Sequence, residues 1–282
     1  MKFLRYKIIA YMLLFAFACN SEAKAQQFKR NTEIGLLVGA SYYIGDLNTV
    51  HFNEALPAGA IAVRYNLNKR FAYKAAAMYT NLKSDERNSD DINAANRGLH
   101  FRSHLYEISG QVEFNFLPYQ PGNPLYTWTP FVYTGVSLFH FSPQAENANG
   151  EWVDLQELGT EGQFTADGDG EKYGLTQVSV PLGLGFKIAV SNSFNIILEY
   201  GTRKTFSDYL DDVSTTFIGD QITAGASQET IEMSDPIGVL DPTRAHSKGD
   251  QRGDPGKQDW YSFAGVTLSF KLNTNTKGCD YQ

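Results

Sequence analysis

Between residues 32 and 272 the chain repeats one pattern: stretches of about ten residues in which apolar and polar side chains alternate, joined by connections that are short and long in turn. A period of two puts apolar groups on one face of a strand and polar groups on the other. The clearest stretch is 176–190. One face reads Thr176, Val178, Val180, Leu182, Leu184, Phe186, Ile188, Val190, and the other Gln177, Ser179, Pro181, Gly183, Gly185, Lys187, Ala189. The first face suits lipid, and the second suits a polar interior in which glycine makes room for neighbours. That is the signature of a membrane-spanning β-barrel, and it argues against a soluble enzyme.

The same pattern predicts strands at 33–44, 58–67, 71–82, 101–116, 128–141, 194–203 and 260–272. In 101–116, Tyr106, Ile108, Val112, Phe114 and Phe116 oppose Glu107, Ser109, Gln111, Glu113 and Asn115. Stretch 128–141 is the least regular, with large apolar groups on both faces. The predicted fold is therefore all-β: an eight-stranded antiparallel transmembrane β-barrel with long extracellular loops and short periplasmic turns.

Connections 68–70, 117–127 and 191–193 are short or moderate, whereas 45–57, 83–100, 142–174 and 207–259 are long and polar. Strict alternation puts both termini at the short-turn rim, which in an outer membrane faces the periplasm. Eight strands leave an interior that side chains fill, so the lumen is expected to be a packed polar core and not a pore. Lys74, Glu107, Glu113, Lys187, Glu199 and Arg203 fall on inward positions, where a low dielectric demands that they pair. The last strand adds an independent sign. Its Gly265-x-x-Leu268-x-Phe270 ending resembles the recognition strand of outer-membrane barrel substrates, although Phe263 stands where a polar residue is expected and a tail follows from Lys271.

The first 25 residues read as a signal peptide. Lys2, Arg5 and Lys7 precede an apolar run of about eleven residues, and Ala23-Lys24-Ala25 supplies a small-x-small cleavage site before Gln26. Cys19 offers a rival, lipoprotein processing, but the bulky Phe17 before Ala18 fits a lipobox poorly. The expected layout is a signal peptide over 1–25 and a barrel over 26–282, with strands across 33–272 and a periplasmic tail over 273–282. The remaining stretches are too short for a helical span. A net charge of −7 argues against nucleic acid, which selects basic faces.

Few groups suggest chemistry. His100, Arg102 and His104 stand near the outer end of the fourth strand, just after Asp85, Asp90 and Asp91. They are the best candidates for an enzymatic site, with contact to lipid headgroups as the alternative. Asp167-Gly168-Asp169-Gly170-Glu171 lacks the further ligands of a calcium loop. Phe71, Tyr73, Tyr119, Tyr126, Trp128 and Trp260 lie near strand ends, as interfacial girdles require. After cleavage Cys279 is the single cysteine, either a free thiol or an intermolecular bond.

The segment Glu33-Ile34-Gly35 through Gly39 to Tyr42-Tyr43-Ile44-Gly45-Asp46-Leu47-Asn48 resembles the first strand and exit loop of the PorG family of outer-membrane barrels. These belong to the type IX secretion system of Bacteroidota. The resemblance extends over 57–65, 130–141 and the cysteine-bearing tail. It implies a non-enzymatic protein without a cofactor, anchoring a periplasmic ring built from the lipoprotein PorK and its partner PorN. On that reading Cys279, with Tyr119, Pro121 and Tyr126 of the 117–127 turn, would face the partner, and Cys279 could bond the ring lipoprotein. The acidic 207–259 loop looks long for the family. The alternative is an outer-membrane enzyme or binding module acting through the long loops around His100 and His104.

Overall fold

The alternating stretches pair with their neighbours around a complete circle. The computed structural model describes residues 28, 30–87, 89–164, 172–219 and 226–272. The barrel strands are β1 (Asn31–Ile44), β2 (Leu56–Asn66), β3 (Phe71–Asp85), β4 (His100–Asn115), β5 (Trp128–Glu146), β7 (Thr176–Ala189), β8 (Phe194–Thr205) and β9 (Trp260–Leu272), while β6 (Trp152–Asp154) only extends the end of β5. All pairings are antiparallel, and β1 against β9 closes the ring from Thr32 opposite Leu272 to Ile44 opposite Trp260. The result is a closed eight-stranded barrel, with the described chain ends and the short turns at one rim and the long connections at the other.

Burial follows the predicted faces. Ser179 and Lys187 are fully buried, whereas Leu182 and Leu184 are 43% and 58% exposed. Leu36, Val38, Ile61, Ile108, Val136, Leu138, Val178 and Leu268 continue that apolar outer band around the wall. A band of exposed aliphatic side chains on a sheet with charged groups inside is the inverse of a water-soluble protein, and lipid is the solvent that suits it. Phe71, Tyr73, Phe116, Trp128 and Phe270 flank the band toward the short-turn rim. Tyr119 does not join them. The 117–127 turn folds it beneath the lumen, where it is 2% exposed.

The interior has two layers. In the layer nearer the short turns, Glu113 accepts from Arg64 Nε at 2.8 Å and Nη2 at 3.1 Å, and from Lys187 Nζ at 2.6 Å. Lys74 pairs with Glu199 at 2.8 Å and Arg64 also approaches Glu33 at 3.7 Å, while Arg203 pairs with Glu107 at 3.0 Å nearer the long loops, beside Tyr261 and Phe263. Four cations thus meet four carboxylates, all nearly sealed from solvent, which is the arrangement that lets a dry interior hold charge. Arg64 and Glu33 complete a network whose other members the alternation already placed inward. Tyr133 lies over Gly183 and Gly201, and Phe131 over Gly185, where any Cβ would collide with the rings.

The layer toward the long loops corrects the expectation of a wholly polar core. Leu37, Met78, Leu82, Leu105, Phe139, Phe141 and Phe263 pack there with Leu47, Leu99, Leu155, Leu210, Val213 and Met233 from the loops. The long connections fold inward over the mouth, so inward positions there meet apolar side chains rather than water. This explains why β5 carries Phe139 and Phe141 on its inner face as well as Val136 and Leu138 outside.

The loops are a folded cap. Short helices occur at Ile92–Arg97, Leu155–Leu158, Gln228–Ser234 and Pro236–Leu240. Asp91, Ser227 and Asp235 cap three of them by accepting from Asn93, Thr230 and Gly238 backbone N–H groups, as such residues do at helix starts. Strands β3 and β5 also run past their predicted ends, to Asp85 and Glu146, because the alternation fades once a strand leaves lipid and is flanked by the cap. Residues 1–27 and 273–282, with Cys19, Ala25, Gln26 and Cys279, lie outside the described residues, as does 165–171.

Candidate functional site

The joint between barrel and cap is built from the end of β1. Tyr43 is fully buried, and its hydroxyl meets Asp211 Oδ2 at 2.5 Å and Asp259 Oδ1 at 2.8 Å. A phenol carries one proton, so it can donate to only one carboxylate at a time. The second contact requires a protonated acid donating to the phenol oxygen. Burial holds both acids well above the usual carboxylate range, and the charge of Asp211 adds to the effect on Asp259. Each acid also fixes backbone: Asp211 accepts from the Val213 N–H at 3.0 Å and Asp259 from the Leu210 N–H at 2.8 Å. Through these bonds the two ends of the longest loop are tied to the first strand.

The residues after Tyr43 complete the latch. Gly45 donates its N–H to the Asn48 carbonyl at 2.9 Å, and the Asn48 side chain donates back to the Tyr43 carbonyl at 2.7 Å. A Cβ at Gly45 would run into the Tyr43 hydroxyl and the Asp259 carboxylate. Asp46 accepts from the Asp254 N–H at 2.8 Å, and Leu47 enters the apolar layer while its carbonyl accepts from Ser84 Oγ at 2.8 Å. The segment Tyr42 to Asn48 is therefore committed to joining cap and barrel.

Two arginines stitch the loops to one another. Arg252, 2% exposed, bonds Glu161 at 3.1 Å and the Asp212 carbonyl at 2.5 Å, and lies 3.7 Å from the Asp212 carboxylate. Asp212 accepts from the Tyr173 hydroxyl at 2.7 Å and from Thr160. Burial pushes its carboxyl up to about 6. Arg97 pairs with Glu86 and donates to the carbonyls of Asp46 at 3.0 Å and Arg252 at 2.7 Å. Beside it a cleft of roughly 1080 Å³ opens, walled by acids that include Asp46, Glu54, Glu86 and Asp91. Burial raises Glu86 to about 7.

Of the residues singled out by sequence, Asp85, His100, Arg102 and His104 line one groove at the end of β3 and β4, while Asp90 and Asp91 stand in the acidic cleft. His100 and His104 lie on the outside of β4. His100 Nε2 accepts from the Glu146 N–H at 3.0 Å, and His104 Nδ1 lies 3.1 Å from the Tyr79 hydroxyl. At the other rim Tyr119 and Pro121 are buried, and Tyr126 is half-buried beneath the Lys69 ammonium, 4.3 Å from its ring. The 117–127 turn presents Leu125, 78% exposed, instead. Sequence reasoning missed Asp211, Asp259 and Arg252, which sit in a loop with no periodic signal. Only Tyr43, inside the distinctive first-strand segment, could have been found.

Solved structures similar to this chain are small outer-membrane proteins. Ail, the attachment invasion locus protein of Yersinia pestis, is 8% identical over 87% of this chain and all of its own, with a TM-score of 0.40. Neisserial surface protein A is 10% identical over 86% of this chain and 99% of its own, TM-score 0.42. OprG of Pseudomonas aeruginosa is 8% identical over 87% and 98%, TM-score 0.37. The barrel assignment rests on the strand pairing of this chain and not on these values. No curated protein matches the sequence. A family model matches residues 7–217, and the chain belongs to that family, a domain of unknown function (DUF6089).

Proposed function

We propose that this chain is a non-enzymatic outer-membrane component of the type IX protein secretion machinery, docking a periplasmic ring complex at its short-turn rim. The observation that carries this reading is a lumen closed twice, by the Glu113 ion network and by the apolar layer beneath the cap. A barrel so filled offers its two rims and its outer wall for action, not a passage. The resemblance at residues 33–48 to PorG-type barrels adds support for the secretion role. His100 and His104, which bond separate partners on the outer wall, favour a binding surface over a catalytic one.

On this reading the partners are a PorK-type ring lipoprotein and its PorN-type companion, and Cys279 forms a disulfide with the ring lipoprotein. The test is purification of the tagged protein from its native outer membrane, with partners identified on reducing and non-reducing gels. The expected result is a ring lipoprotein that co-purifies, in a disulfide adduct lost in Cys279→Ser. Recovery of monomer alone, with secretion unchanged when the gene is deleted, would overturn the proposal.

A further inference from the structure

On the outer wall, the pairs between β3 and β4 change character step by step toward the long-loop rim. Ala77 stands opposite Ile108, Tyr79 opposite Tyr106, Asn81 opposite His104, Lys83 opposite Arg102, and Asp85 opposite His100. Two residues advance roughly 7 Å along a strand. With a strand tilt of about 40°, Lys83 and Arg102 stand on the order of 10 Å above the tyrosine pair. Exposed tyrosines mark the edge of the hydrocarbon, and the polar headgroup zone lies just beyond it. The ladder therefore carries two cations into the layer where lipid headgroups sit.

A groove of roughly 430 Å³ opens at this level, lined in part by Lys83, Arg87, His100, Arg102 and Trp152. The Arg102 guanidinium lies 3.7 Å above the Trp152 ring, which holds it in place while leaving its edge free for further bonds. Arg102 Nε donates to Gln144 Oε1 at 3.2 Å, a neutral partner. Lys83 has Glu54 at 3.5 Å, and Arg87 is held by Asp85 at 2.6 Å with Glu146 at 3.7 Å. Asp85, Glu54 and Glu146 thus offset Lys83 and Arg87, and Arg102 is the lining cation with no carboxylate against it among the described residues.

His100 supplies the independent observation. It is 7% exposed, and its Nε2 accepts from the Glu146 N–H. The ring proton must then sit on Nδ1. That buried Nδ1 has no hydrogen-bond partner among the described residues. A buried donor without an acceptor is costly, and because His100 lines the groove, a rotation of its ring toward a bound anion would give the proton an acceptor.

We propose that this groove binds the phosphorylated headgroup of an outer-leaflet lipid. Lys83 and Arg102 give charge-assisted hydrogen bonds to phosphate oxygens, and His100 Nδ1–H donates a further one. The position above the tyrosine pair selects a phosphate carried by a lipid, because the acyl chains can then lie along Ala77 and Ile108. The inference needs only the long-loop rim at the outer leaflet, so failure of the secretion role would leave it standing.

The experiment measures binding of diphosphorylated lipid A to the purified barrel in neutral detergent micelles. The comparisons are dephosphorylated lipid A and the double variant Lys83→Ala/Arg102→Ala. Lys204→Ala is the control, removing an exposed cation on β8. The expected result is binding that weakens by at least about tenfold both on dephosphorylation and in the double variant, and is unchanged in Lys204→Ala. Heat-modifiable gel mobility reports that each variant is folded, and Arg102→Gln alone replaces the double variant if that one is not. Equal binding by the folded variant, or equal binding of the dephosphorylated lipid, would overturn the proposal. Displacement of the lipid by millimolar inorganic phosphate would assign the groove to free anions and overturn it as well.

Discussion

Tyr43, at the end of the first strand, donates its phenolic proton to Asp211, 168 residues further along the chain, at 2.5 Å. That bond, with the Asp259 contact beside it, joins barrel and cap. Tyr43→Phe removes the hydroxyl and leaves two buried acids facing an apolar ring, a loss of about 1–3 kcal/mol. The barrel should still insert and keep its heat-modifiable mobility, while the 206–259 loop becomes more sensitive to added protease. Unchanged digestion would show that the cap holds without the latch.

Gly45→Ala should disturb the same joint by crowding instead of deletion. The new methyl would overlap the Tyr43 hydroxyl and the Asp259 carboxylate, and overpacking a tight site costs about 1–3 kcal/mol. Digestion of the cap comparable to that of Tyr43→Phe is expected. Wild-type resistance would mean that the turn opens without cost.

The cap should be more stable in mild acid than at alkaline pH. Asp211 and Asp259 ionise well above the usual range because they are buried, and burial places Asp212 at about 6. An aspartate in the unfolded chain ionises near about 3.9, so between that value and about 6 or above the folded cap keeps protons that the unfolded chain has released. Stability then falls as pH rises through this window. Protease resistance of the cap should be greater at about pH 5 than at about pH 8, and Asp211→Asn should narrow the difference. A cap that tightens with rising pH would contradict the assignment.

Glu113 holds Arg64 and Lys187 in the lumen. Glu113→Ala strands Lys187 and leaves Arg64 only the more distant Glu33, and should cost about 3–5 kcal/mol, read as a lower urea midpoint of the folded barrel. Replacing Lys187 with an apolar residue in the same molecule, with Arg64 kept for Glu33, should recover much of that loss. A variant with wild-type stability would mean that water enters and solvates the cations.

Because the lumen is filled, the wild-type protein in a planar bilayer should show no stable nanosiemens channel. On its outer face, Leu182→Arg should cost about 2–4 kcal/mol near the bilayer centre, whereas Ser179→Thr, inside, should be mild. Steady large conductance would refute the closed interior. The opposite order of the two substitutions would mean a strand slipped by one residue.

What the sequence determined alone is the wall. Lipid on one side and protein on the other impose a period of two, so the faces of Thr176–Ala189, the strand number and the sorting of short and long connections could be read from residue types. The filling of the lumen was legible in part: Lys187 and Glu113 announced themselves by falling on the inner face. Their partners are chosen by which strands stand across the barrel, and that depends on closure. The cap was decided by tertiary structure. Asp211, Asp259 and Arg252 sit in an acidic, aperiodic loop, and nothing local distinguishes them from solvated residues. They are buried because the loop turns inward onto an apolar mouth, and a chain segment with no repeating environment leaves no repeating pattern to read.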